Sequence, residues 1–176
     1  MKKEFTKYLK SLDEKGLYKE LQKLYAKIPA VKKYYEMELS PNTDKIVAEY
    51  KKKLKKEYFP TRGYGQGRNS MSRKIVLDFK KIAVHPIDVI ELWLYRTEMM
   101  VQFTMSYGDI DEAFYNSMAT GFEAACKLME KEKLQKHFED RCHDIIYPLG
   151  EIGWGAYDEL RYLYEQYGGF FFEDRW

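Results

Sequence analysis

The segment Pro86 to Tyr107, PIDVIELWLYRTEMMVQFTMSY, decides how the rest of the chain must be arranged. Placed on a helix at 100° per residue, Asp88, Glu91, Glu98, Gln102 and Ser106 fall on one narrow stripe. Ile90, Leu92, Trp93, Met100 and Phe103 cover most of the remaining circumference. A helix with so little polar surface needs neighbours on several sides, so the flanking segments are expected to wrap it.

Those flanks read as helices too. Downstream, Gly108 suits a left-handed C-cap, and Asp109 or Asp111 caps the next helix. That helix, running to about Lys131, points Phe114, Met118, Phe122, Ala125 and Met129 one way, with Ala113, Ser117, Gly121 and Ala124 alongside for close helix approach. Leu134, Phe138, Cys142, Ile145, Ile146 and Leu149 define a further helix, and Tyr157, Leu160, Tyr164 and Tyr167 the last. The tail from Gly168 carries Phe170, Phe171, Phe172 and Trp176, enough aromatic surface to be expected to dock on the body.

Upstream, Phe5, Tyr8, Leu9 and Leu12 form a short face, Ser11 with Glu14 offers a capping box, and Leu17, Leu21, Leu24 and Ile28 follow on one side of a second helix. Pro29 fits the first turn of a third helix, and Ser40, Asn42 and Thr43 start a fourth with Ile46, Val47, Tyr50 and Leu54 on one face. Pro60 ends it. Gly63, Gly65 and Gly67 mark an irregular loop, after which Ser70 or Ser72 caps a helix carrying Ile75, Phe79 and Ile82.

No segment alternates like a strand, so the sequence predicts an all-α fold of about eight to nine helices in antiparallel hairpins. Two architectures fit, a short α-α superhelix and a compact helical bundle. Because no heptad seam runs across several helices, the superhelix is preferred. The 176 residues suit a single domain over 1–176, divided into basic N-terminal helices (1–59), a Gly/Arg loop (60–69), core helices (70–167) and an aromatic tail (168–176).

Composition narrows the function classes. The two cysteines, Cys126 and Cys142, sit on apolar faces without paired spacing, which reads as buried free thiols in a reducing, cytoplasmic setting. The first ten residues lack a signal-peptide core, and no apolar run reaches membrane-span length, so no membrane association is expected. The net charge of +2 hides an asymmetry: residues 1–84 hold 22 Lys plus Arg against 10 acids, and residues 85–176 hold 8 against 18. Halves of +12 and −10 can pack together, present two solvated faces, or attract a polyanion or a charged protein.

Candidate site residues fall in two groups. Between Lys51 and Lys74 nine basic residues face a single acid, Glu57. Within that stretch, Arg62, Arg68, Arg73 and Lys74 could hold phosphate while Tyr64 offers a stacking face, and a solvated helix beside a loop is the plainer explanation. In the second group Arg96 lies on an apolar side of the 86–107 helix, where it needs an acid such as Asp109, Asp111 or Glu123, or a ligand; Trp154 lies between two glycines. A pocket near Arg96, Asp109 and Trp154 would suit an enzyme or small-ligand binder. His137 and His143 project from different helical sides and assemble no metal site, and no cofactor fingerprint or nucleophile motif occurs.

Three stretches taken in order, Tyr58-Phe59-Pro60 into the Arg-Gly loop, Gly108 to Asn116, and Gly150-Glu151-Ile152-Gly153-Trp154-Gly155, resemble an uncharacterised bacterial all-helical family of unknown function. The resemblance covers nearly the whole chain and implies no activity or residue roles. The leading expectation is a non-enzymatic helical interaction or scaffold module for a protein partner or itself. Nucleic-acid or phosphate binding through 51–74 is the first competitor, and a small-ligand site the second.

Overall fold

The computed structural model describes residues 1–40 and 42–171 and contains nine α-helices and no strand among them. They are α1 (Lys2–Ser11), α2 (Glu14–Lys27), α3 (Pro29–Glu38), α4 (Asp44–Tyr58), α5 (Asn69–Lys80), α6 (Pro86–Tyr107), α7 (Glu112–Glu132), α8 (Gln135–Ile146) and α9 (Ala156–Gln166). A 3-10 turn, Tyr147–Glu151, follows α8. Phe172 and Trp176, expected in the docked tail, lie outside the described residues.

Local chemistry sets the boundaries. The Asp111 carboxylate accepts from the Phe114 amide at 2.7 Å and starts α7. At α2 the cap is Asp13, which accepts from the Gly16 amide at 2.7 Å, and not the Ser11–Glu14 box; Ser11 completes α1 and turns its hydroxyl back to the Tyr8 carbonyl. Neither serine caps α5, which begins at Asn69; Ser72 lies inside that helix, fully buried. Pro86 occupies the first turn of α6 behind an extended His85, as the restriction on a residue before proline requires.

Helix α6 is the centre. Twelve of its 22 residues are buried, and it packs against α4, α5, α7 and α8 at once. That geometry is a bundle wound round one helix, not the preferred superhelix, in which each hairpin would touch only its neighbours. The physical reason lies in the stripe: an apolar circumference broken only along one narrow line cannot be satisfied by two neighbours. Gly121 lets α7 approach closely, since a Cβ there would sit 2.6 Å from Arg96 and 3.3 Å from Trp93. α9 packs on α7 and α8. Phe171 then closes the end of the body with its ring 4.8 Å from His143 and 5.2 Å from Tyr147, centroid to centroid.

The wrapping stops at α4. Although α4 shares its charge with the N-terminal helices, it buries Val47, Tyr50, Leu54 and Tyr58 in the body. Helices α1 and α2 bury no residue at all, and α3 buries only Met37. The first 40 residues therefore form an arm, in which Met37 is the one residue buried in the core and Lys33 ties α3 to α4, its ammonium 3.5 Å from Glu49 and over the Tyr50 ring.

Candidate docking surface

The arm is amphipathic, and among the described residues its apolar side is covered only in part, by the arm's own helices. Phe5, Tyr8, Leu17, Tyr18, Leu21, Tyr25, Ile28, Tyr34 and Leu39 are each between 38% and 79% exposed. Apolar residues recur along α2 at Leu17, Leu21, Leu24 and Ile28, the spacing that puts them on one face, and α3 packs beside it. Tyr18, Leu21, Gln22, Tyr25, Tyr35 and Leu39 line a groove of about 520 Å³ between the two helices. The arm holds its own shape: Tyr25 and Tyr35 rings meet at 6.4 Å, and Tyr8 of α1 is hydrogen-bonded to Glu20 of α2, which raises the phenol. Contiguous apolar surface of this extent on a folded protein marks a contact site.

The basic loop is held from inside. Arg68 forks onto Glu57 with Nε 2.9 Å from Oε1 and Nη2 3.0 Å from Oε2, and the Arg68 amide donates to the same carboxylate at 3.1 Å. These bonds hold the Glu57 carboxyl below the usual carboxylate range. The Glu57 carbonyl accepts from Gln66 and Gly67, so one residue staples the loop's return. Gly65 passes so near α4 that a Cβ would be 1.7 Å from the Tyr58 carbonyl oxygen. Gly65 thus answers to backbone contact, and Gly67, with φ +56°, to the Phe103 ring, which a Cβ would meet at 3.0 Å. Arg62, Tyr64 and Arg68, with Lys53, Lys56 and Gln66, border a shallow cleft of about 320 Å³. Arg73 and Lys74 are exposed one helix further on, along α5.

Arg96 is fully buried and forms no ion pair among the described residues; its partners there are not the acids proposed for it, Asp109, Asp111 and Glu123. Its Nε donates to Ser72 Oγ at 3.0 Å, its Nη1 to the Ser117 carbonyl at 3.0 Å and its Nη2 to Ser117 Oγ at 2.7 Å. Tyr58 donates to the same Ser72 hydroxyl at 2.7 Å, joining α4, α5, α6 and α7 through one polar network. Burial lowers the guanidinium and raises the Tyr58 phenol. An exposed acid would have to leave water to pair with Arg96, whereas two hydroxyls and a carbonyl already inside satisfy it without a second buried charge. Asp109 and Trp154 lie elsewhere, near each other: a Gly153 Cβ would stand 3.8 Å from the Asp109 carboxylate, and the Trp154 ring stacks at 6.0 Å on Tyr115. The structure does not bring them to Arg96.

The polar stripe of α6 faces the groove between α4 and α8. Glu91 receives Lys51 from α4 and Arg141 from α8, and Arg141 also bonds Glu98. Burial pushes the Glu91 carboxyl up, and the two cations more than reverse it, leaving it below the usual range. Further along, Val101, Met105, Ile145 and Pro148 line a hollow of about 380 Å³, with Glu98 and Asp144 beside them. Both cysteines are buried, and burial pushes the Cys142 thiol up to about 12 and Cys126 up as well, which favours the neutral thiol over the reactive thiolate.

The candidate site residues read from the sequence include none of the groove residues on α2 and α3, although Leu21 lies on the helical face named there. Their helical spacing was visible; what a spacing pattern cannot report is how little of the face it defines the rest of the chain covers.

These features define a helical bundle with a projecting amphipathic arm, a class set by architecture and not by chemistry. Residues 1–168 match the family described as Family of unknown function (DUF6155), and the chain belongs to it. No curated protein and no solved structure matches the chain.

Proposed function

We propose that this protein is a non-enzymatic interaction module that binds a protein partner or itself through the apolar face of its arm. The exposed face of α1 to α3 carries the reading: nine large apolar side chains in water are a standing cost of roughly 1 kcal/mol or more each that a partner would remove. Four of the nine are tyrosines, which suit protein contacts because the ring is buried while the hydroxyl stays wet. The two buried thiols fit a reducing, cytoplasmic setting. Among the described residues no helix is long and apolar enough to cross a membrane.

A photo-reactive residue placed at Leu21 or Tyr25 tests this directly. Cross-linked products from these positions in cells, with none from position 52 on the lysine face of α4, are expected. Equal yields at all three, or none from the arm, would remove the reading.

The cleft beside Lys53, Lys56, Arg62, Tyr64 and Arg68 supports a second reading, binding of a phosphate-bearing ligand or nucleic acid, with Arg73 and Lys74 extending the basic surface. Reversing charge at Arg62 and Arg73 should then abolish salt-sensitive binding to DNA or RNA, and unchanged binding would exclude it. Arg68 is left out of that test because its loss would open the loop.

A further inference from the structure

The arm's partner can be narrowed, given the docking reading, by its charge and area. The nine exposed side chains offer on the order of 800 Å² of apolar surface, taking 150–250 Å² for a large side chain and about half of it exposed. That is the share one partner contributes to a standard stable interface, roughly 800 Å² a side. The arm's rim is basic, with 10 Lys against 6 acids over residues 1–40. A complementary surface needs apolar lining and acidic groups, and the chain carries one on its acidic half: the hollow lined by Val101, Met105, Ile145 and Pro148, with Asp144 and the Arg141-paired Glu98 beside them. Met105 at its mouth is 45% exposed. The arm's own groove is a poorer match for a second arm, because like charges would meet.

We infer that two copies of this chain associate reciprocally, each laying the lysine-flanked apolar face of its arm on the α6–α8 hollow of the other. The arrangement is a closed two-fold dimer in which both contacts are the same, so growth stops at two. It places the arm, net +4 over residues 1–40, against the half of its partner that carries −10.

Complementation between two surface variants tests this. Leu21→Asp spoils the arm and leaves the hollow; Met105→Asp spoils the hollow and leaves the arm. Both positions are about half exposed, at 52% and 45%, so each variant is expected to fold with an unchanged melting temperature. Sedimentation equilibrium of the full chain should show a monomer–dimer equilibrium whose Kd rises about tenfold or more between low and high salt. Each variant alone should be monomeric, and an equimolar mixture should recover dimer, because one intact arm meets one intact hollow. Dimers of Met105→Asp alone, with Leu21→Asp monomeric, would mean arm on arm and overturn the arrangement. A wild-type chain monomeric throughout would overturn the second copy as partner, while the arm photo-cross-links would still decide the docking reading separately.

Discussion

Arg96 of α6 gives two of its nitrogens to one residue of α7: Nη2 lies 2.7 Å from the Ser117 hydroxyl and Nη1 3.0 Å from the Ser117 carbonyl. A buried guanidinium held by neutral groups joins the two most extensively packed helices. Ser117→Ala should cost about 1.5–3 kcal/mol, as for a lost hydrogen bond to a charged group. Arg96→Ala should cost about 3–5 kcal/mol, from the cavity and the orphaned partners. Arg96→Met, which keeps the volume and removes the desolvated charge, should cost less than half of that. Urea denaturation of the three variants checks the order. An Arg96→Met loss as large as that of Arg96→Ala would show that the charge itself holds the helices together.

The Gly/Arg loop offers a contrast inside a few residues. Gly65→Ala must push Tyr58 aside, and should destabilise by about 2 kcal/mol or more. Gly63 has φ +73° with open space around it, so Gly63→Ala should cost only about 1 kcal/mol of backbone strain. Thermal melts of the pair measure the difference. Equal effects would contradict the close passage of the loop against α4.

Acid should loosen the α4–α6–α8 groove. The Glu91 carboxyl lies below its unfolded value, so its contribution is present above the ordinary carboxylate range, about 4.3, and is lost as pH falls through the folded value. Melting temperature should fall more steeply below pH 5 in the wild type than in Glu91→Gln, with the two curves converging at low pH. Parallel curves would mean that Lys51 and Arg141 do not act through Glu91.

The aromatic tail is expected to be structural. Phe171 is 8% exposed, Arg161 lies over its ring at 5.3 Å, and His143 Nε2 donates to the Phe170 carbonyl at 2.8 Å. Phe171→Ala should cost about 3 kcal/mol and raise hydrogen exchange in α9, whereas Phe170→Ala, at 60% exposed, should change stability by under about 0.5 kcal/mol.

The helices were legible from the chain because periodicity reports which face of a segment is apolar, and α6 in particular announced its own burial. The cap of α7 was narrowed to Asp109 or Asp111, since a cap acts through its next three residues, and Asp111 is the one that caps it. What periodicity leaves open is which faces meet. The apolar face Leu17, Leu21, Leu24, Ile28 looks the same whether it packs on α6 or on nothing, and none of the four is buried. Arg96 illustrates the converse. Its apolar surroundings were readable, yet acids nearby in sequence were the wrong partners, because Ser72 and Ser117 reach it from α5 and α7 through the fold. In the loop, glycine and arginine suggested a phosphate cradle; Glu57, a single acid among nine bases, turns out to be the residue that closes it.

The most direct measurement of the central claim is hydroxyl-radical footprinting of the tyrosines in dilute purified protein and in intact cells. Tyr18 and Tyr25 of the arm should oxidise readily in dilute solution and be shielded in cells, while Tyr162, 63% exposed on α9, serves as an exposed reference and Tyr58 as a buried one. Shielding confined to Tyr18 and Tyr25 is the result expected of a docking surface. Arm tyrosines as open in cells as in dilute solution, or already shielded in the dilute monomer, would contradict it.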